Sequence, residues 1–349
     1  MTPSTILVCH AQVPLNRGGA ELLTETLVTQ LRQRGFRVSL VAIPFKWYPP
    51  IQALTHAFLW RMVDLAESNG ERIDLVIGTK FPSYLARHEN KIVWLIHQFR
   101  QIYDLYDSDQ GFPKETVEDG QIRDSIIRAD EVALREARQI FTISHNTASR
   151  LKRFNGIDGI PLHVPPPLLG RYRSEPSEPY ILSVGRLDPL KRVNLLLQAL
   201  QCTKTSVRGV IVGEGEQRAA LEHEVERLGL EGRVHFAGRV PDEQLVDLYA
   251  RCMAVFYAPV DEDYGFVAVE ALLSGKPVIT TSDSGGVLEF IDHQATGLVS
   301  SPRAEELAAS IDWVTSNPKQ ALELGLEGRE RVGDLNWDTV IDRLLAYSR

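Results

Sequence analysis

Residues 5–43 read TILVCHAQVPLNRGGAELLTETLVTQLRQRGFRVSLVAI and predict a strand, a helix and a second strand. The apolar run at 5–8 predicts a buried strand. Residues 20–34 carry leucines at helical spacing and end before Gly35, a residue typical of the position just after a helix. A second apolar run follows at 37–43, and a unit of this length places its two strands parallel. We therefore expect an α/β fold.

The same alternation continues along the chain. Apolar runs at 74–77, 91–96 and 139–143 predict further strands in the first half. In the second half we predict strands at 180–184, 207–212, 233–236, 253–257 and 277–280, and helices at 191–201, 216–228, 302–316, 318–331 and 335–348. Continuous Val, Ile and Leu runs are typical of strands that are buried on both faces, as in a doubly wound sheet.

A proline-rich segment divides the chain at 161–179. It contains three successive prolines at 165–167, followed by GRYRSEPSEP, and neither a helix nor a central strand accommodates such a segment. We therefore predict two doubly wound, Rossmann-like domains that face each other across a cleft, where ligands of such sheets bind. The predicted domains are residues 1–168 and 169–334, and a C-terminal helix at 335–349 is predicted to return to the N-terminal domain.

Length and composition are those of a globular protein of about two domains, with 349 residues, 44% hydrophobic and 24% charged. The net charge of −8 disfavours a nucleic-acid partner. Three widely spaced cysteines, Cys9, Cys202 and Cys252, fit neither a disulfide framework nor a CxxC metal site. The start MTPSTILVCH does not resemble a signal peptide, and no run approaches the roughly 20 apolar residues of a membrane span. We expect a cytoplasmic protein.

The segment DEDYGFVAVEAL at 261–272 follows a predicted strand and contains a helix start near Gly265. The free N–H groups of a helix start bind anions, phosphate in particular. The candidate phosphate site consists of three successive amides, those of Gly265, Phe266 and Val267. Glu262 precedes these amides and Glu270 lies about one turn into the helix. The pattern fits a ligand with phosphates between two polyhydroxyl groups, and equally a solvated acidic loop.

A second candidate loop is GRLDPLK at 185–191, directly after a predicted strand. Arg186 and Lys191 lie near the start of the next helix, where cations need an anionic partner. A diphosphate would supply that partner, with Arg as a planar fork and Lys as a point charge. The alternative is an ordinary basic pair on the surface.

In the N-terminal half, the paired glycines of Arg17-Gly18-Gly19 allow close approach to a phosphate or a sugar. The G-x-G-x-x-G fingerprint is absent here and at Gly213-Glu214-Gly215, so the evidence for NAD is weak. His97 ends a predicted strand. It could donate a hydrogen bond to a sugar, act as a base, or be a structural histidine.

Taken together, these motifs resemble glycosyltransferase family 4, whose members are retaining transferases with the GT-B fold. The resemblance extends from Gly18-Gly19-Ala20-Glu21 to Trp337. Its most specific element is Glu262-x7-Glu270, followed by ALLSGKPVI at 271–279. Further support comes from GRLDPLK at 185–191, GGVLEFI at 285–291 and TGLV at 296–299.

The resemblance implies a nucleotide-sugar donor of the UDP or GDP type, bound by the C-terminal domain. Arg186 and Lys191 would bind the diphosphate and stabilise the charge on the leaving group. Glu262 would contact the donor sugar, Glu270 the ribose hydroxyls, and the backbone of Val240 the base.

In the same comparison, the amides of Gly265, Phe266 and Val267 would hold the distal phosphate. The N-terminal domain would contribute Gly18 and Gly19, which line the phosphates, and His97, which touches the donor sugar.

The implied reaction is transfer of a hexosyl or related sugar, with retention, to a hydroxyl of a glycan or lipid-linked glycan, in cell-surface polysaccharide or glycolipid synthesis. We interpret Asp261-x-Asp263 as incidental, and we expect neither a metal nor another cofactor. The chain departs from the family pattern at Arg192, where the family often has Gly, and at Ala258-Pro259-Val260, in place of the common Pro-Ser. Two other functions remain open, a sugar-nucleotide epimerase of similar fold and a non-catalytic nucleotide- or sugar-binding protein.

The acceptor should bind the N-terminal domain, where segment 98–120 is a candidate acceptor loop. Aromatic residues lie near basic ones at 45–51 and 57–62. These segments are either a peripheral contact with the inner face of the membrane or a buried helix with an aromatic loop before it.

Overall fold

The computed structural model describes residues 4–15 and 18–347 of the chain. They form two units, Met1–Pro167 with Asn336–Arg349, and Leu168–Leu335. No helix in the described part of the chain is both long and apolar enough to cross a membrane.

The first unit contains a parallel sheet and a short antiparallel hairpin. Its strands are β1 (Thr5–Gln12), β2 (Arg37–Pro44), β3 (Glu67–Ser68), β4 (Glu71–Arg72), β5 (Leu75–Gly78), β6 (Lys91–Leu95), β7 (Gln139–Thr142) and β8 (Ile160–Pro161). Its helices up to the proline-rich segment are α1 (Gly19–Gln33), α2 (Ile51–Met62), α3 (Val117–Arg135) and α4 (His145–Asn155). Strands β3 and β4 form the hairpin, and the six-stranded sheet has the order β2-β1-β5-β6-β7-β8.

The direction of strand addition in this sheet reverses at β1. The chain passes from β1 outward to β2 and then places β5 on the other side of β1. The loops that follow β1 and β5 therefore leave the carboxyl edge on opposite sides of a crevice, the topological switch point at which open α/β sheets bind ligands.

The second unit has a six-stranded parallel sheet of its own. Its strands are β9 (Tyr180–Val184), β10 (Arg208–Val212), β11 (Val234–Gly238), β12 (Ala254–Phe256), β13 (Val278–Thr281) and β14 (Gly297–Ser300). Its helices are α5 (Val193–Cys202), α6 (Arg218–Leu228), α7 (Asp242–Arg251), α8 (Phe266–Leu273), α9 (Ala304–Ser316) and α10 (Pro318–Arg331). The order β11-β10-β9-β12-β13-β14 is the Rossmann order, and its switch point lies between β9 and β12.

The last helix, α11 (Trp337–Ala346), packs within the first unit. The Trp337 ring meets the buried Trp94 of β6 edge to face, with centroids 6.1 Å apart. Asp338 forms an ion pair with Arg34 just beyond α1. The helix therefore contributes to the apolar core of the first unit although it follows the second unit in sequence.

Most element bounds predicted from the sequence lie within two residues of the structure. The short strands β3, β4 and β8, strand β14 and helix α7 were not predicted. The helix predicted at 191–201 requires a correction, because Pro189–Lys191 form a separate 3₁₀ turn and Arg192 adopts a left-handed conformation with φ 48° before α5 begins. Lys191 therefore lies in a turn that precedes the helix.

Candidate functional site

Lys191 and Glu262 contact each other at the switch point of the second unit. Lys191 lies in the loop after β9 and Glu262 in the loop after β12, and the ammonium group donates to the Glu262 carboxylate. The buried Tyr257 hydroxyl donates to the same oxygen, Oε2, at 2.9 Å. Lys191 Nζ lies 3.4 Å from the Tyr257 hydroxyl and 5.8 Å from the centroid of its ring. A cation, a carboxylate and a phenol thus converge where this fold binds ligands.

The backbone around this pair is fixed by local hydrogen bonds. The Asp188 carboxylate accepts a hydrogen bond from the Lys191 amide at 3.2 Å and caps the 3₁₀ turn. On the other side, the Glu262 amide donates to the Ser284 carbonyl at 3.2 Å, and the Glu262 carbonyl accepts from the Gly286 amide at 2.8 Å. Both partners of the ion pair are therefore placed by the loops at the carboxyl edge of the sheet.

The pKa of Glu262 lies below its ordinary value. Burial on its own would raise that pKa, but the charge of Lys191 and the hydrogen bonds from Lys191 and Tyr257 outweigh burial. The carboxylate is therefore ionised at neutral pH, and it balances the charge of Lys191. An anionic ligand at this point would compete with Glu262 for that ammonium group.

Arg186 lies in the same loop as Lys191 but has a different partner. Its side chain is half exposed, and its ion pair is with Asp188 at 3.2 Å. The Arg186 loop packs tightly against Gly213 of the GEG motif, where φ is 130° and a Cβ would lie 1.9 Å from the Gly185 carbonyl oxygen. Gly213 therefore allows its own loop to lie against the loop that carries Arg186. This close packing explains the glycine without any role in binding a dinucleotide.

Glu270 lies on α8 and is held by a tyrosine that the sequence did not predict. The buried Tyr249 of α7 donates its hydroxyl hydrogen to Glu270 Oε2 at 2.7 Å. The Tyr172 ring, from the segment leading into the second unit, packs edge to face on Tyr249 with centroids 6.1 Å apart. Burial raises the pKa of Glu270 to about 7, even though the hydrogen bond from Tyr249 opposes the shift.

Helix α8 begins where the sequence predicted. Gly265 is its N-cap residue with φ 92°, and Phe266 and Val267 form its first turn. The first amides of a helix are not used by its own hydrogen bonds. Gly286 packs against this loop so closely that a Cβ would lie 2.6 Å from the Asp263 carbonyl oxygen. Val240 precedes this segment in the chain and is half-buried in the loop between β11 and α7.

The first unit has a comparable ion pair at its own switch point. Glu21, near the start of α1, accepts hydrogen bonds from Lys80 Nζ at 2.7 Å and from the Gly18 amide at 2.8 Å. His10 Nε2 of β1 lies 3.3 Å from the same carboxylate. Burial would raise the pKa of Glu21, but His10, Lys80 and the Gly18 amide lower it, and the net shift is strongly downward. All three residues are buried.

The glycine loop is placed by this carboxylate. Gly18 is the N-cap of α1 and Gly19 its exposed first residue, whereas Arg17 lies outside the described residues. Glu21 entered the sequence prediction only as part of a motif, and Lys80 did not enter it. A lysine three residues after the strand predicted at 74–77 was nevertheless a signal for the carboxyl edge.

His97 lies two positions after the buried end of β6. It is half-buried, and its Nδ1 lies 2.7 Å from the Gln98 carbonyl oxygen. A hydrogen bond from Nδ1 to that carbonyl would fix the tautomer that carries its proton on Nδ1.

Helix α2, in the aromatic segments singled out from the sequence, has a buried side and an exposed side. It buries Ala53, Ala57 and Trp60 against the core of the first unit. Its other side exposes Phe58 by 56% and Met62 by 83%. The helix is therefore part of the core and also presents large apolar side chains to solvent.

Residues 170–331 match the family model described as "Glycosyl transferases group 1". This segment, slightly less than half of the chain, is therefore similar to the group 1 glycosyl transferases. It is 31% identical over 182 residues to the D-inositol 3-phosphate glycosyltransferase of Segniliparus rotundus, a match that covers 50% of this chain and 40% of the relative. It is 33% identical over 170 residues to the D-rhamnosyltransferase WbpZ of Pseudomonas aeruginosa, covering 48% of this chain and 44% of that protein. The chain thus spans less than half the length of these curated relatives.

The chain is also similar to a solved structure over nearly its whole length. HepE of Anabaena, crystallised in complex with UDP and glucose, superimposes with a TM-score of 0.72 at 18% identity over 98% of each chain. A likeness at this identity establishes the fold. The expected GT-B class, with two Rossmann-like sheets, is confirmed.

Proposed function

We propose that this chain is a retaining glycosyltransferase. It transfers a hexosyl or related sugar from a UDP- or GDP-type donor to a hydroxyl of a glycan or lipid-linked glycan, in cell-surface polysaccharide or glycolipid synthesis. The observation that carries the proposal is the contact of Lys191 with Glu262 and Tyr257 at a Rossmann switch point. The names of the curated relatives, a D-inositol 3-phosphate glycosyltransferase and a D-rhamnosyltransferase, support the class of reaction.

In this proposal, the second unit binds the donor and stabilises its leaving group. Lys191 and Arg186 neutralise the diphosphate, and the helix-start amides of Gly265, Phe266 and Val267 hold the distal phosphate. Negative charge grows on the diphosphate as the bond to the sugar breaks. A cation fixed before the reaction is therefore most effective in the transition state.

Glu262 and Glu270 take the two polyhydroxyl ends of the donor. Glu262 is ionised and accepts hydrogen bonds from hydroxyls of the donor sugar when the diphosphate draws Lys191 away. Glu270, held by Tyr249, accepts hydrogen bonds from the ribose hydroxyls, and the backbone of Val240 contacts the base. Both roles require a carboxylate that accepts hydrogen bonds and is held at a fixed position. The buried hydroxyls of Tyr257 and Tyr249 hold the two carboxylates in place.

The first unit supplies the remaining contacts to the donor. Gly18 and Gly19 line its phosphates, and His97 donates a hydrogen bond to its sugar. We propose that segment 98–120 binds the acceptor.

In the proposed transfer, every bond and proton is accounted for without a metal ion. The bond between the anomeric carbon and the phosphate oxygen breaks, and the acceptor oxygen bonds to the same face of that carbon. The acceptor proton passes to the leaving phosphate oxygen, so the products are the glycosylated acceptor and a nucleoside diphosphate. Attack on the same face retains the configuration in one step. The other route to retention uses a carboxylate nucleophile and a covalent enzyme intermediate, which this proposal does not need.

We propose further that the first unit contacts the cytoplasmic face of a membrane through α2. Phe58 and Met62 are exposed large apolar side chains, and Lys46 lies on the segment just before the helix. Apolar side chains beside basic residues bind lipid interfaces. Sedimentation with vesicles of anionic and neutral lipid tests this contact. Phe58→Ser with Met62→Ser should reduce vesicle binding, and unchanged binding would reject it.

A donor panel tests the proposed reaction. The protein is incubated with UDP-, GDP-, ADP- and dTDP-sugars, and the melting shift and slow donor hydrolysis are measured, with and without EDTA. At least one donor should raise the melting temperature and release nucleoside diphosphate at an EDTA-insensitive rate. No response to any donor would overturn the proposal. A new sugar formed without nucleotide release would indicate an epimerase.

A further inference from the structure

Arg192, the residue after Lys191, connects the loops at the carboxyl edge of the second sheet. Its Nε donates to the Ala258 carbonyl oxygen at 2.7 Å, and its Nη2 lies 2.9 Å from the Pro259 carbonyl oxygen. The same guanidinium meets both carboxylate oxygens of Asp283, at 2.8 and 2.7 Å, and lies 2.8 Å from Thr281 Oγ1. One side chain thus bonds to the loop after β12 and to the loop after β13.

These two loops also place Glu262. The Asp261 amide donates to the Asp283 carbonyl oxygen at 2.9 Å, and the next amide, that of Glu262, donates to Ser284. Asp261 itself has a left-handed backbone with φ 42°. The position of the loop that carries Glu262 therefore depends on the 281–284 loop. Arg192 contacts that second loop through both carboxylate oxygens of Asp283.

The backbone at Arg192 is better suited to glycine than to arginine. Its φ of 48° lies in the left-handed region, which glycine enters without steric cost. Glycine is also the residue that the family often has there. An arginine with this backbone conformation indicates that the side chain itself has a use, and its side chain is only 15% exposed.

We propose that Arg192 is a positioning residue that holds Lys191 and Glu262 in their mutual geometry. Lys191 is its neighbour in sequence, and Glu262 lies three residues beyond the Pro259 carbonyl that it binds. The planar guanidinium reaches both loops at once, which a lysine ammonium group cannot do with the same geometry. The expected effect of Arg192 on turnover rests on the proposed glycosyl transfer. The expected effect of Arg192 on the geometry of the two loops does not depend on that function.

The alternative is that Arg192 serves stability only. Arg192→Gly separates the two possibilities, because glycine relieves the left-handed backbone while the guanidinium is lost. The variant should therefore fold. Arg233 offers a matched control in the same unit, since its guanidinium donates to the carbonyls of Leu200 and Val207, near the amino ends of β10 and β11, and also bonds to Thr203 Oγ1.

The first measurement is hydrogen exchange in the full chain without donor. Arg192→Gly should speed amide exchange in peptides that cover 257–264 and 281–286, and Arg233→Ala should leave both peptides unchanged. Exchange that matches wild type in Arg192→Gly would overturn the proposal, whatever the activity of the protein.

The second measurement is turnover with the donor that the panel identifies. Arg192→Gly should lower kcat by about 10²-fold, the effect of a small misplacement of reacting groups, with a change in donor KM of less than about threefold. Added guanidinium should restore part of kcat, whereas Arg192→Lys should remain impaired. Arg233→Ala should keep kcat within about twofold even if its melting temperature falls. A normal kcat in Arg192→Gly would reject the positioning role, whereas a wild-type protein inactive with every donor would reject the proposed function instead.

Discussion

Lys191 and Glu262 form an ion pair although 71 positions separate them in the chain. They meet because β9 and β12 are neighbours in the sheet while their connections run to opposite sides. The loop after each strand therefore opens onto the same crevice. The charges of the two partners offset each other. In the proposed reaction, an incoming diphosphate would replace Glu262 as the counterion of Lys191.

Removing either partner of this pair should abolish most of the turnover. We expect Lys191→Ala and Glu262→Ala to lower kcat by at least about 10²-fold, the loss typical when a preorganised charge that stabilises a transition state is deleted. Initial rates of donor hydrolysis and of transfer measure this effect. Lys319→Ala, which removes an exposed lysine from α10, is the control and should retain wild-type rates. Near-normal rates in both site variants would remove this pair from the mechanism.

The two tyrosines that bind the glutamates should affect different kinetic constants. Tyr257→Phe removes a hydrogen bond to Glu262, and we expect mainly a lower kcat, by about tenfold. Tyr249→Phe removes a hydrogen bond to Glu270, and we expect mainly a higher donor KM. Tyr180→Phe is a matched control, because that hydroxyl binds only the Leu248 carbonyl among the described residues. The same kinetic change in both variants would contradict the separate roles of the two glutamates.

The strands and the edge of the sheet were predictable because their signals are local. Each apolar run, the glycine at Gly35 and the proline segment indicate the local structure of the residues around them. The carboxyl ends of parallel strands share one edge of the sheet. The loops that carry Lys191 and Glu262, and the helix that carries Glu270, could therefore be chosen from the sequence. The assignment of each residue to a part of the donor remains a prediction.

The partners of these residues were not predictable, because they depend on pairing between distant segments. Tyr249 and Lys80 look like ordinary core or surface residues in the sequence, and only the strand order brings them to a carboxylate. Arg192 was predictable only as a departure from the family. Its side chain bonds to Ala258 and Thr281, which lie 66 and 89 positions later in the chain.

Donor affinity should depend on the ionisation of Glu270. Its pKa is raised to about 7, so the carboxylate that accepts the ribose hydroxyls is depleted as the pH falls below that value. We expect the donor dissociation constant to rise by up to about tenfold for each pH unit below 7, and to level off above pH 8. Calorimetry at pH 6 and pH 8, in two buffers of different ionisation enthalpy, should also detect proton release on binding at the lower pH.

Glu270→Gln tests whether this glutamate is the titrating group. The amide cannot ionise, so we expect weak binding that is nearly the same at pH 6 and pH 8. A nucleotide sugar is a suitable ligand, because its diphosphate is esterified at both ends and does not titrate in this range. If the variant kept the wild-type pH dependence, another group would be responsible.

The pair of Lys80 and Glu21 in the first unit should contribute to stability. Lys80→Met leaves the Glu21 carboxylate buried without its cation, and such a change destabilises proteins by about 3–5 kcal/mol. Glu21→Gln together with Lys80→Met removes both charges and should recover much of that loss. Urea unfolding followed by tryptophan fluorescence suits this test, since four of the five tryptophans lie in the first unit: Trp47, Trp60, Trp94 and Trp337.

The pH dependence of unfolding identifies the charge of Glu21 as the cause. Its pKa is lower in the folded chain than in the unfolded chain, so its contribution is fully present above the ordinary glutamate value of about 4.3 and is lost as the pH falls below it. Between pH 5 and pH 3 the wild type should therefore lose more unfolding free energy than Glu21→Gln. Glu25→Gln, a change at an exposed position on α1, is the matched control and should follow the wild type. Equal losses in the wild type and Glu21→Gln would show that this ion pair does not stabilise the first unit.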